Sequence, residues 1–153
     1  MRRFIIVVFV SWMLLVAHAT HAGQQCDEKP PSADALEIGL NLGVMVSDAL
    51  DNSGGDVALI ARSGQDLSKY GLQHSHMSFV VRDARNDNQQ KSKWTVIHML
   101  NLCGRSDSEL FAEGLGMFFM DMPFRYEAMI AIPSEGIQAR LKTILASDLP
   151  RRF

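Results

Sequence analysis

Two short runs decide the fold: His74-Ser75-His76-Met77-Ser78-Phe79-Val80-Val81-Arg82 and, after a polar interval, Trp94-Thr95-Val96-Ile97-His98-Met99-Leu100. Both are rich in the β-branched and aromatic residues that suit a pleated surface. The intervening Asp83 to Lys93 is polar and charged, as a surface connection between paired strands should be. A hairpin is therefore expected. Side chains two apart on a strand share a face, so Trp94, Val96, His98 and Leu100 point one way. His76 begins the first strand and becomes a cross-strand neighbour of His98 if the two pair in this manner.

Working outward, Asp56-Val57-Ala58-Leu59-Ile60-Ala61-Arg62 is a short apolar run bounded by turn residues and predicts a buried strand. The polar stretch Ser63 to Gly71 links it to the His76 strand as a loop or short helix. Upstream, Leu36, Ile38, Leu40, Leu42, Val44, Met45, Val46 and Leu50 recur at helical spacing over Ser32 to Leu50. Ser32 or Asp34 can cap that helix, and Asp51-Asn52-Ser53-Gly54-Gly55 stops it. Downstream of Cys103-Gly104 the period changes. Leu110, Phe111, Leu115, Met117, Phe118 and Phe119 predict a helix capped by Ser106 or Ser108. Met129 to Ile132 reads as a further strand ended by Pro133, and Ser134 caps a last helix carrying Ile137, Leu141, Ile144 and Leu145. The order predicts an α+β domain with a small antiparallel sheet packed against helices.

The N-terminus has its own pattern. Arg2-Arg3 precedes an apolar segment from Phe4 to Ala17, interrupted by Ser11, and small residues follow at Ala17, Ala19 and Ala22. This predicts a cleavable secretory signal over residues 1–22, a single domain over 23–153, and a periplasmic or secreted location. The apolar segment falls short of the ~20 residues that span a bilayer, so no membrane span is expected after cleavage. Removal of residues 1–22 takes two of the fifteen basic residues and none of the seventeen acidic ones, leaving a formal charge of −4. Arg62, Lys69, Arg82, Arg85, Lys91 and Lys93 are interleaved with acids rather than clustered, which argues against a nucleic-acid partner.

The chain lacks a Gly-x-Ser-x-Gly elbow, a phosphate loop and a dinucleotide fingerprint. What it offers is Cys103, with His74, His76 and His98 on neighbouring segments. A thiol ahead of a helix is easier to ionise, and a nearby imidazole can take its proton. Those four residues also include ligand types for zinc or copper, but their spacing matches no established metal motif. No cofactor is expected. Two cysteines in an oxidising compartment raise the alternative that Cys103 is bridged to Cys26. Gln65 and Tyr70, in the polar loop before the His76 strand, are candidates for binding substrate or an oxyanion.

The stretches GGDVALIARSGQDLSKYGLQHSHMSFVVRD (54–83) and WTVIHMLNLCGRSDSELFAEGLGMFF (94–119) resemble an uncharacterised family of secreted bacterial proteins. That family in turn resembles the circularly permuted, NlpC-like branch of the papain-fold cysteine hydrolases. In that branch a Gly-Asp strand comes first, a Ser-His strand supplies the base, the next strand a polar third residue, and the nucleophilic cysteine follows. Gly55-Asp56, Ser75-His76, His98 and Cys103 stand in this order. The resemblance implies a permuted papain-like core and a thiol hydrolase or acyltransferase acting on an amide or ester bond of a cell-envelope peptide or acyl substrate. Cys103 would be the nucleophile, His76 the base and His98 the residue that orients it. The competing expectation is a catalytically inactive binding or assembly module with a Cys26–Cys103 disulfide, and a third is a His/Cys metal-binding protein.

Overall fold

The computed structural model describes residues 30–83, 93–101, 107–121 and 123–147. In chain order these are α1 (Ala33–Asn52), β1 (Val57–Ser63), a 3-10 turn (Ser68–Tyr70), β2 (His76–Arg82), β3 (Trp94–Asn101), β4 (Ser108–Gly114), α2 (Leu115–Met120), β5 (Arg125–Ala131) and α3 (Glu135–Leu145). The strands form one antiparallel sheet in the order β4-β3-β2-β1-β5. The protein is a mixed α+β fold.

Helix α1 starts where Ser32 Oγ accepts a hydrogen bond from the Ala35 N–H at 3.2 Å, satisfying one of the free amides of the first turn. It stops at Ser53, and the chain turns at Gly54, whose φ of 71° suits a residue without a Cβ. Its buried positions are Gly39, Gly43, Val46 and Leu50, one stripe at helical spacing. The two glycines let α1 come down on the chain at α2. A Cβ on Gly39 would stand 2.9 Å from the Phe119 carbonyl oxygen, and one on Gly43 would stand 3.2 Å from Gly116 Cα.

The register sorts the sheet into two faces. Val80 pairs with Val96 and Ala58, and Ile60 with Ile130. Their face packs with Val46 and Leu50 of α1, Leu115, Phe118 and Phe119 of α2, and Trp94 in one core. The alternate positions Leu59, Phe79, Ile97 and Leu110 belong to the other face, where α3 contributes Ile144 and Leu145. There they line a groove of about 730 Å³.

A buried polar tie anchors the near end of β1 and β2. Arg82 donates to the Gly55 carbonyl at 2.9 Å and to Asp51 Oδ1 at 3.1 Å, and its guanidinium lies 4.4 Å from the Trp94 ring centre. Trp94 Nε1 donates to the same Asp51 oxygen at 2.9 Å. Gln138 Oε1 in α3 accepts from the Asp56 and Val57 amides, and Lys142 Nζ meets Asp56 at 2.8 Å. These contacts fix α1, the sheet and α3 to one another at the end away from the histidines.

The segment after Cys103 differs from expectation. Ser108–Gly114 is a strand, not the start of a helix, and only Leu115–Met120 is helical. Glu109, Leu110, Ala112 and Glu113 favour helices intrinsically, but hydrogen bonding to β3 along the whole of β4 overrides that preference.

Candidate functional site

Extending the β2–β3 register past Phe79–Ile97 places Ser78 opposite His98 and His76 diagonal to it. The two rings nevertheless meet edge to face, with 5.1 Å between centroids, and His76 Nε2 lies 2.8 Å from His98 Nδ1. This is the cross-strand meeting expected from the alternation of β3. Phe118, fully buried on α2, packs against both rings at 5.8 and 5.4 Å between centroids. Phe111, paired with His98 across β4, flanks its other side. His98 is only 3% exposed, whereas His76 is half-buried.

Charged groups surround the pair. Arg62, cross-strand from His76 on β1, is buried and ion-paired with the Asp121 carboxylate at the end of α2. Its Nη1 also donates to the Asp121 carbonyl at 2.6 Å, and its guanidinium carbon is 5.0 Å from the Phe118 ring centre. On β4, Glu113 pairs with Val96, two residues from His98, and its Oε1 stands 3.0 Å from His98 Nε2. That pair is close enough for an ion pair but is not aligned as a hydrogen bond. Nε2 is one of three buried side-chain atoms without a hydrogen-bond partner among the described residues, with Ser78 Oγ and Arg62 Nε.

Burial and charge keep both imidazoles neutral near pH 7. Desolvation, then the His76 and Arg62 charges, lower His98 from 6.5 to about 4, with Asp121 acting in the opposite direction. Desolvation and then Arg62 lower His76, again against Asp121. Burial raises the Glu113 carboxyl, opposed by Arg62. Two neutral rings in contact can share one hydrogen bond, with an N–H of one donating to the lone pair of the other, without placing two cations side by side.

The other sequence candidates are placed apart from this pair. His74 Nδ1 is 3.3 Å from Ser63 Oγ, which also donates to Glu127 Oε1 at 2.6 Å. Gln65 and Tyr70 lie in the exposed β1–β2 connection, and neither side chain makes a hydrogen bond or ring contact with His76 or His98. Tyr70 instead carries Lys69 Nζ over its ring at 4.7 Å. The proposed roles of Gln65 and Tyr70 thus gain no support from these contacts. Cys103, Cys26 and the signal segment 1–22 lie outside the described residues. Cys103 is two residues beyond Asn101, the last residue of β3, and the next described element is β4. The helix expected to start at Ser106 or Ser108 and to activate the thiol is replaced from Ser108 by a strand.

Among the described residues, no group of three or more His, Cys, Asp or Glu side chains is arranged to hold a metal ion. No helix among them is long and apolar enough to cross a membrane. Sequence reasoning missed Glu113, Arg62 and Asp121. Arg62 was readable as the face-mate of Ile60 on a strand, but Glu113 was hidden by the helical reading of its segment. Asp121 joins the site only because α2 ends beside Arg62 of β1.

No curated protein and no solved structure matches the chain. Residues 49–152, from the end of α1 to beyond α3, match a bacterial family described as "Uncharacterized protein conserved in bacteria (DUF2145)". The chain belongs to this family of uncharacterized proteins conserved in bacteria.

Proposed function

We propose that the protein is a secreted thiol hydrolase or acyltransferase of the cell envelope, with Cys103 as nucleophile, His76 as base and His98 orienting His76. The observation that carries this reading is the 2.8 Å contact between Nε2 of the half-buried His76 and Nδ1 of the buried His98. One imidazole is held by a second, as the third group of a catalytic triad holds its base. The resemblance to the permuted papain-like hydrolases supplies the order of the motifs and the assignment of Cys103.

In the proposed reaction His76 takes the Cys103 thiol proton as sulfur attacks the carbonyl carbon of an amide or ester. The tetrahedral adduct collapses, the C–N or C–O bond breaks, and His76 returns the proton to the leaving amine or alcohol. Water, or an acceptor amine or alcohol, then attacks the thioester. Its proton passes through His76 to the departing Cys103 sulfur.

The second reading is a binding or assembly module with Cys26 and Cys103 bridged. It is favoured by the loss of the helix after Cys103 and by the apolar groove on the far face of the sheet. Thiol chemistry separates the two. Protein taken from its native compartment is labelled with iodoacetamide before and after reduction and weighed intact. The hydrolase reading expects a free Cys103 that alkylates rapidly at low pH and loses that reactivity in His76→Ala. A quantitative Cys26–Cys103 bridge would overturn it.

A further inference from the structure

We infer that Glu113 fixes the proton order of the histidine pair, so that Nδ1 of His76 is its basic nitrogen. This deepens the thiol-hydrolase reading and rests on it only for the use made of that nitrogen. The starting point is the β3–β4 register, which brings Glu113 beside His98 on one face and leaves Glu113 Oε1 3.0 Å from the buried Nε2.

A neutral imidazole carries one N–H and one lone pair, and an ionised carboxylate only accepts. With the carboxylate at Nε2, the His98 proton belongs on Nε2 and its lone pair on Nδ1. A small turn of the carboxylate aligns the bond and satisfies an otherwise orphaned buried atom. The Nδ1 lone pair of His98 faces His76 Nε2 at 2.8 Å, so Nε2 of His76 must donate. The lone pair of His76 is left on Nδ1, which has no hydrogen-bond partner among the described residues and belongs to the more exposed ring.

Protonating Glu113 reverses the chain. The carboxylic acid would donate to His98 Nε2, His98 Nδ1–H to His76 Nε2, and Nδ1 of His76 would carry a hydrogen and accept nothing. The other charged groups facing this chain are Arg62 on β1 and Asp121 after α2. Arg62 favours the carboxylate and Asp121 opposes it. Glu113 thus acts as a positioning residue two strands away from the base it sets.

The test reads nitrogen protonation directly. Long-range ¹H–¹⁵N correlation spectra of the ¹⁵N-labelled protein at neutral pH, with His74→Gln used for assignment, are expected to show His76 and His98 both protonated at Nε2. Glu113→Leu should abolish this single pattern and give a mixture of tautomers at both rings. A wild-type spectrum with His76 protonated at Nδ1 would overturn the inference, even if Glu113→Leu proved unable to fold. An unchanged pattern in a folded Glu113→Leu would overturn it as well. The same spectrum recorded in Cys103→Ala keeps the two ideas apart. Persistence of the pattern there, with Cys103 bridged in the wild type, ends the hydrolase reading but leaves the proton order standing.

Discussion

Lowering the pH from 7 to 4 should destabilise this protein through His98, and the size of the effect follows from its surroundings. The unfolded imidazole titrates near 6.5, while burial among Phe118, Phe111 and His76 lowers the folded one to about 4. Between those values the unfolded chain binds a proton that the folded chain refuses. Stability is therefore fully present above 6.5 and is lost as pH falls towards 4. At ~1.4 kcal/mol per pH unit, the drop amounts to roughly 3 kcal/mol. His76, also lowered, adds to the loss in the same direction. Glu113 opposes it, because a carboxyl raised by burial favours folding in its protonated form at low pH. Urea denaturation followed by Trp94 fluorescence at intervals from pH 7.5 to 4 measures the slope. His98→Leu removes the main titrating group, so its absolute stability matters less than its pH dependence, which should flatten by most of the ~3 kcal/mol. If the wild type and His98→Leu lose the same stability across this range, the account of a buried neutral His98 is wrong.

Three further substitutions test the scaffold that holds the site. Gly39→Ala gains ~0.8–1 kcal/mol in helix propensity but pushes a methyl group to within 2.9 Å of the Phe119 carbonyl oxygen. Overpacking against backbone costs about 1–3 kcal/mol, so thermal melts should show a net loss of up to roughly 2 kcal/mol. Gly136→Ala in α3 meets nothing within 4 Å and should stabilise by up to ~1 kcal/mol; a stabilising Gly39→Ala would refute the close approach of α1 to α2. Asp51→Ala removes the carboxylate shared by Arg82 and Trp94 Nε1. Denaturant curves should report a loss of about 3 kcal/mol, because a buried guanidinium loses one of its anionic partners. A loss below ~1 kcal/mol would show that the Gly55 carbonyl and Asp56 hold Arg82 without it.

The hairpin was legible because its two strands carry alternation and β-branched residues of their own, and local pattern sufficed to bring His76 to His98. The first helix was legible for the same reason, but the identity of its buried stripe was not. Ile38, Leu40, Val44 and Met45 are all roughly half exposed or more. Gly39 and Gly43 take the contact instead, because the backbone at Phe119 and Gly116 comes too close for a side chain. Hydrophobicity alone does not announce a glycine as an interface residue.

By itself, the sequence determined the α+β class, the antiparallel hairpin, the first and last helices and the histidine pair, since each depends on periodicity within one segment or between neighbours in the chain. Tertiary structure decided the rest. Ser108–Gly114 has helix-forming residues and becomes a strand because β3 offers it a full ladder of hydrogen bonds. That one change removes the helix expected after Cys103 and brings Glu113 to His98. It also closes a polar chain of His76, His98 and Glu113 beside the Arg62–Asp121 ion pair. Those partners come from four strands and the end of a helix, and only the packed sheet brings them within reach of one another.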